Sequence, residues 1–120
     1  MTYQKLIGDF GEKLAENYLI EKGYQIVDRK YVTRFGELDL VTMDKDCVVF
    51  VEVKTRTSKA FGLPEDSITP AKLERISNAG LLWLQANPYA PDDWRIDAVA
   101  IFLDPHQQPL EIRHFTNIIL

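Results

Sequence analysis

Two segments joined by a turn constrain this chain more than any other feature. Residues 48–54 are almost all β-favouring, and residues 37–43 alternate between polar and apolar side chains. The intervening Asp44-Lys45-Asp46 is typical of a turn. The two segments therefore predict an antiparallel β-hairpin. Because its second strand is apolar on both faces up to Glu52, we expect that strand in the middle of a sheet.

The remaining segments predict two helices and three more strands. Apolar residues recur at helical spacing over residues 5–22, and a second helix is expected from Thr69-Pro70 to Asn87-Pro88, with Gly80 packed closely on the sheet. Short strands are expected at 24–27, 94–103 and 110–115, and a loop at 55–67. This order predicts an α/β fold with a central mixed β-sheet flanked by helices.

Length and composition limit the class of protein. The 120 residues fit a single domain, residues 1–120. With no signal peptide and no run of about 18 apolar residues, we expect a cytoplasmic protein without a membrane span. One cysteine excludes an internal disulfide. The net charge of −4 argues against a surface that attracts nucleic acid everywhere, although a small basic patch remains compatible with it.

Charged side chains gather at one end of the predicted hairpin. Glu52 and Lys54 are two residues apart and share a face, as do Glu37 and Asp39 on the preceding strand. Asp39 faces Glu52, with β-carbons roughly 5 Å apart, if the connecting loop has an even length. A slip of one residue would separate the two carboxylates unless a β-bulge corrected it.

This arrangement has two interpretations. Two close carboxylates repel each other unless a cation lies between them, and all-oxygen ligands favour Mg²⁺ or Mn²⁺. Asp39, Glu52 and Lys54 would then form a catalytic group for phosphodiester hydrolysis, in which Lys54 orients the attacking water or neutralises developing charge. The alternative is a simple surface ion pair between Lys54 and one of the acids.

Three motifs carry a family resemblance. Residues 8–12 with Ala15, residues 36–40 and residues 50–56 resemble the UPF0102 (YraN-like) family over nearly the whole chain. That family is similar to the restriction-endonuclease-like PD-(D/E)XK nuclease superfamily, which includes archaeal Holliday junction resolvases. The resemblance implies a restriction-endonuclease-like fold and a metal-dependent endonuclease that acts on DNA, including branched or otherwise structured DNA. It also implies a homodimer.

The same resemblance assigns candidate roles to individual residues. Asp39, Glu52 and Glu12 are the implied metal ligands, although Glu12 is equally explained as a solvated charge near a helix N-terminus. Supporting residues behind the ligands are Glu37, Lys72 and Asp97. Lys30 stands where the family frequently has Asn. The expected phosphate contacts are Arg29, Lys30, Arg34, Thr55, Arg56 and Lys59, although charged loops are more often merely solvated.

Two rival functions stay open at this point. One is a non-catalytic nucleic-acid-binding module that retains the nuclease fold, which predicts DNA binding without cleavage. The other is an assembly protein whose acids form only salt bridges, which predicts neither metal nor DNA binding. A cysteine protease is not expected, because Cys47, His106 and His114 are better explained as core or surface residues.

Overall fold

The computed structural model describes residues 2–57 and 68–118 of the chain. Its elements, in chain order, are α1 (Tyr3–Glu21), β1 (Gln25–Thr33), β2 (Gly36–Asp44), β3 (Cys47–Arg56), α2 (Pro70–Ala86), β4 (Trp94–Leu103) and β5 (Pro109–Phe115). The strands form a five-stranded sheet in the order β1-β2-β3-β4-β5. Only the β3–β4 pair is parallel among the four strand pairs of the described residues. The predicted α/β fold with a mixed sheet is confirmed, and β3 is its middle strand.

Each face of the sheet is covered by one helix. On one face, Ala15 and Leu19 of α1 pack against Val51 of β3. On the other face, Leu73 and Trp83 of α2 pack with Phe50 and its neighbours. The middle strand is apolar on both faces because both faces are buried under helices. In the part of the chain that the structure describes, neither helix is long and apolar enough to cross a membrane.

Two glycines allow the helices to approach β3 closely. A β-carbon on Gly11 would lie 1.8 Å from Oγ1 of Thr55, and one on Gly80 would lie 2.6 Å from Cε2 of Phe50. Neither position has room for a larger residue unless the sheet or the helix moves. The close packing predicted at Gly80 is confirmed, and Gly11 places the next residue, Glu12, beside the C-terminal end of β3.

Strand β1 is longer than its sequence predicted. Arg29 and Lys30 lie within this strand rather than in a connecting loop, and Arg34 lies in the turn before β2. The prediction was wrong here because β1 is an edge strand whose alternation of exposed and half-buried residues is interrupted at Arg29 and Lys30. Its pairing shifts between Ile26 and Asp28, and Lys30 has a left-handed backbone with φ of 49°.

Strand β3 also extends further than predicted. Thr55 and Arg56, expected in a loop, pair with Ile101 and Phe102 of β4. Because their side chains are polar, the sequence did not indicate this end of the strand. Pairing with β4, rather than apolar residues of its own, holds it in the sheet. Lys59 lies outside the described residues.

The hairpin has the predicted register from Leu40–Val51 to Asp44–Cys47, with Lys45 and Asp46 as a two-residue turn. Beyond Leu40 the strand becomes irregular. Leu38 packs in the core beneath α2, whereas Leu40 packs in the core beneath α1. Residues two apart in a regular strand share a face. The irregularity therefore falls at Asp39.

The neighbouring strand β1 is irregular at the same level. Arg29 donates a hydrogen bond to Glu16 of α1, whereas Tyr31 packs with the core beneath α2. The pairs Arg29–Leu40 and Tyr31–Leu38 nevertheless keep one register on both sides of the irregularity. Both strands thus turn two consecutive residues toward α1, and Asp39 is one of them.

Candidate functional site

Three carboxylates from two elements meet on the α1 face of the sheet. Glu12 of α1 and both Glu37 and Asp39 of β2 each offer an oxygen, and these oxygens all lie within 4.8 Å of one another. Gly11 brings α1 close enough for Glu12 to join, and the irregularity of β2 turns Asp39 toward the helix. The group therefore depends on both features of the fold.

The pKa of Asp39 is shifted far from its ordinary value. The backbone N–H of Val53 donates to Asp39 Oδ2 at 2.8 Å. Burial, followed by the negative charge of Glu52, raises the pKa of Asp39 to about 8, although the Val53 hydrogen bond opposes this shift. The Asp39 carboxylate is thus poorly compensated, and a bound cation would favour its ionised form.

Glu12 is better compensated than Asp39. Burial raises its pKa, but Lys30 opposes this shift with an ion pair of 3.3 Å from Nζ to Glu12 Oε2. The same ammonium lies 2.6 Å from Oδ1 of Asp9. Lys30, predicted as a phosphate contact, is therefore engaged by two carboxylates.

Glu52 and Lys54 lie beside this group, on the face that α2 covers. Lys54 Nζ is 3.2 Å from Glu52 Oε1, and their side chains are 19% and 14% exposed. Because Glu52 raises the pKa of Asp39, the two carboxylates are neighbours. We expected Glu52 among the ligands and Glu37 behind them, but it is Glu37 that groups with Asp39 and Glu12.

A cleft of about 450 Å³ opens at the acids. It runs between the first turns of α1, including Tyr3 and Ile7, and the end of β3, and Lys54 borders it. Thr55 and Arg56, both predicted phosphate contacts, also line this cleft. A concave space of this size with a few convergent charged groups is typical of a ligand site.

The other predicted phosphate contacts are placed less favourably. Arg29 Nη2 lies 2.5 Å from Oε1 of the buried Glu16. The guanidinium of Arg34 lies over the ring of Phe35, 5.0 Å from its centroid. Arg29 is thus engaged within the chain, and Arg34 is held at the exposed β1–β2 turn.

A second, smaller cavity lies on the α2 face. Its volume is about 60 Å³, and Glu37, Glu52, Lys72 and Arg75 line it. Lys72 was expected to support the site, but Arg75 was missed. The two residues are three apart on α2 and so share one face of the helix, a spacing visible in the sequence.

Asp97 belongs to a separate buried network. Its carboxylate accepts hydrogen bonds from Tyr24, Arg95 and the amide of Asn117, and lies 2.8 Å from Nε2 of His114. Burial alone would raise the pKa of Asp97, but the bonds from His114 and Arg95 outweigh it and lower the pKa to about 2. None of these described partners lies among the three grouped acids, Glu12, Glu37 and Asp39. Asp97 therefore stabilises β4 and β5 and does not support the candidate site.

The fold and the site together define an α/β protein that carries several grouped carboxylates and a lysine at the ends of its central strands. Residues 11–101 match the model described as "Uncharacterised protein family UPF0102". A UPF0102 protein of Syntrophomonas wolfei is 42% identical over 111 residues, which is 92% of this chain and 95% of the relative. One of Trichlorobacter lovleyi is 40% identical over 112 residues, or 92% and 87% of the two chains. The chain belongs to the UPF0102 family, as the motifs predicted, and the matched segment contains every candidate site residue.

Proposed function

We propose that the protein is a metal-dependent endonuclease that hydrolyses phosphodiester bonds in DNA. The observation that carries this proposal is the half-buried, poorly compensated carboxylate of Asp39, which groups with Glu12 and Glu37 and lies beside Glu52 and Lys54. Such a perturbed acid in a cleft is more common at catalytic sites than elsewhere. A cytoplasmic location belongs to the same proposal and rests on the sequence. Action on branched DNA and as a homodimer also belongs to it and rests on the family resemblance.

The donor set fits a hard divalent cation. All three grouped ligands are carboxylates, which suit Mg²⁺ or Mn²⁺ better than softer metals. Burial and the charge of Glu52 oppose ionisation of Asp39, and the ammonium of Lys30 pairs with Glu12 rather than with Asp39. Glu12, Glu37 and Asp39 would hold the ion, with Glu52 as the neighbouring further donor. When bound, the ion would supply a more acidic water and neutralise charge on the phosphate.

The chain's own residues supply orientation and positive charge. The Val53 amide fixes the Asp39 carboxylate through its 2.8 Å hydrogen bond. Glu52 holds the Lys54 ammonium at 3.2 Å, at the border of the cleft. From there Lys54 can orient an attacking water or stabilise the negative charge that develops on the phosphoryl oxygens.

Cleavage of a DNA panel tests this function. Linear, flapped and four-way DNA would be incubated in Mn²⁺ or Mg²⁺ with the wild type, Asp39→Asn and Lys54→Ala. We expect the wild type to cleave at least one substrate and each variant to lose about 10²- to 10³-fold in rate. Lys45→Gln, in the exposed turn at the far end of the hairpin, is the matched control and should cleave normally. Equal residual cleavage in all four preparations would indicate a contaminating nuclease.

One observation favours a second candidate function, a nucleic-acid-binding module without turnover. Glu52 is paired with Lys54 and does not join the acids around Asp39. In this case DNA would bind in both EDTA and Mn²⁺, and no substrate of the panel would be cut. The cleavage assay therefore separates the two candidates when it is run beside a binding assay.

A further inference from the structure

The described cations near the candidate site differ in whether a carboxylate of the chain pairs with them. Arg29 and Lys30 on the α1 face are engaged by the carboxylates of Glu16, Asp9 and Glu12. Lys72 and Arg75 of α2 form no ion pair with any carboxylate of residues 2–57 and 68–118. These two cations are therefore available to a ligand.

The small cavity on the α2 face concentrates this positive charge. Lys72 and Arg75 line it together with two acids, Glu37 and Glu52, of which Glu52 already pairs with Lys54. Three cations, counting Lys54, thus lie around two acids, in a protein whose net charge is −4. A local excess of positive charge in an acidic protein favours an anionic ligand at this place.

The surroundings of Lys72 disfavour its charged form in several ways. Burial lowers its pKa, and the nearby ammonium of Lys54 lowers it further, although the carboxylate of Glu52 opposes this shift. Lys72 also lies in the first turn of α2, where the helix dipole disfavours a cation. An anion between Lys54, Lys72 and Arg75 would offset all of these effects.

We propose that Lys72 and Arg75 form a phosphate subsite for the backbone of a nucleic-acid strand. The identity of this ligand rests on the proposed function. Glu37 lines both the small cavity and the large cleft, and Lys54 borders the cleft while pairing with Glu52. The two spaces therefore adjoin at the end of the sheet. A strand with one phosphate at the acids can place a neighbouring phosphate on α2.

Binding without a divalent ion tests this subsite separately from catalysis. A fluorescent, short single-stranded oligonucleotide would be titrated in EDTA with the wild type, Lys72→Gln, Arg75→Gln and Lys72→Arg. Lys45→Gln removes the same charge from the distant hairpin turn and is the matched control. Inorganic phosphate, added as a competitor and titrated alone while amide NMR shifts are followed, distinguishes a free phosphate ligand from a strand.

We expect Lys72→Gln and Arg75→Gln each to weaken oligonucleotide binding by roughly tenfold, with Lys72→Arg close to the wild type. The removal of either cation should also make the plot of log affinity against log salt concentration shallower, by about 0.7 in slope. Phosphate alone should shift amides near Lys72 and Glu52 at millimolar concentration only. Thermal unfolding of each variant establishes that it is folded.

The outcomes separate this inference from the proposed function. Equal weakening by Lys45→Gln and Lys72→Gln, or no binding by the wild type, overturns the subsite. Tighter binding of inorganic phosphate than of the oligonucleotide overturns the assignment to a strand. Binding that depends on Lys72 and Arg75 but is never followed by cleavage in Mn²⁺ supports the subsite and contradicts the nuclease.

Discussion

The backbone N–H of Val53 on β3 donates a 2.8 Å hydrogen bond to the side chain of Asp39 on β2. Regular pairing between the two strands ends one step earlier, at Leu40 and Val51. The Asp39 carboxylate thus satisfies an amide that would otherwise need another acceptor. The same bond fixes the acid at the centre of the candidate site, so strand pairing and site geometry depend on one side chain.

The raised pKa of Asp39 predicts a pH-dependent effect of Asp39→Asn on stability. The folded pKa is about 8 against an ordinary value of 3.8, so unfolding releases the Asp39 proton between these values. Wild-type stability should fall as pH rises through this range. Asn keeps an oxygen for the Val53 amide and cannot ionise. We expect the variant to be more stable than the wild type by roughly 1–4 kcal/mol at pH 8, and much less so at pH 4.

Urea unfolding in EDTA measures this difference. Asp46→Asn, in the exposed hairpin turn, is the matched control and should show the same small effect at both pH values. If Asp39→Asn changed stability equally at pH 4 and pH 8, the Asp39 carboxyl would not be the perturbed group.

Metal-dependent stabilisation distinguishes the two candidate ligand sets. Mn²⁺ at about 100 times its Kd should stabilise the wild type by roughly 2.7 kcal/mol, seen as a rise in Tm. If the grouping in the structure is the ligand set, Glu37→Gln should reduce this rise more than Glu52→Gln does. Asp39→Asn should abolish it. A larger loss with Glu52→Gln would instead support the ligands predicted from the sequence, and no rise in the wild type would contradict a metal site.

Asp97→Asn should destabilise the protein strongly. The substitution removes a buried charge that binds Arg95 and His114, so we expect a loss of about 3–5 kcal/mol at pH 7. Because the folded pKa of Asp97 is lowered to about 2, its contribution is present above the ordinary value of 3.8 and is lost as pH falls toward 2. The difference between wild type and variant should therefore shrink in acid.

Denaturant titrations between pH 7 and pH 2 test this expectation. Asp44→Asn removes the other carboxylate partner of Arg95, at a more exposed position, and should cost about 1 kcal/mol or less. A similar cost for Asp44→Asn and Asp97→Asn would contradict the central role of Asp97 in the network.

Substitution of two glycines in α1 tests the close packing beneath Glu12. Gly11→Ala would place a β-carbon 1.8 Å from Thr55 Oγ1, whereas Gly8→Ala meets no atom within 4 Å. We expect Gly11→Ala to destabilise the fold by about 1–3 kcal/mol. Gly8→Ala should be neutral or stabilise by up to about 1 kcal/mol through helix propensity. Thermal unfolding compares them, and equal effects would show that α1 does not approach β3 this closely.

Much of the fold was predictable because its determinants are local. Alternating polarity and turn residues identified β2, β3 and the register between them, and Thr69-Pro70 identified the start of α2. The extent of β1 was not predictable in this way. Lys30 adopts its left-handed backbone opposite the irregularity at Asp39, which is a relationship between two strands and leaves no periodic pattern.

The sequence indicated which acids belong to the candidate site, but not which of them lie closest together. The hairpin placed Asp39 near Glu52, and the family motif added Glu12. Strand alternation alone put Asp39 and Glu52 on one face, whereas the irregularity of β2 turns Asp39 toward α1 and groups it with Glu37. Arg75 was missed because its importance depends on which face of α2 meets β3.

The paired irregularity of β1 and β2 limits how this chain can change in length. Deleting Asp39 alone would keep Leu38 and Leu40 on their present faces, because the two would then alternate regularly, but it would leave Lys30 as an extra residue in β1. Deleting Lys30 alone would likewise leave Asp39 as an extra residue in β2. Only the two deletions together would restore a regular ladder, and they would remove both the central acid and the lysine that compensates Glu12. The lengths of the two strands are therefore coupled at this level, because a one-residue deletion in either strand leaves a β-bulge in the other, and only a matching deletion removes that bulge.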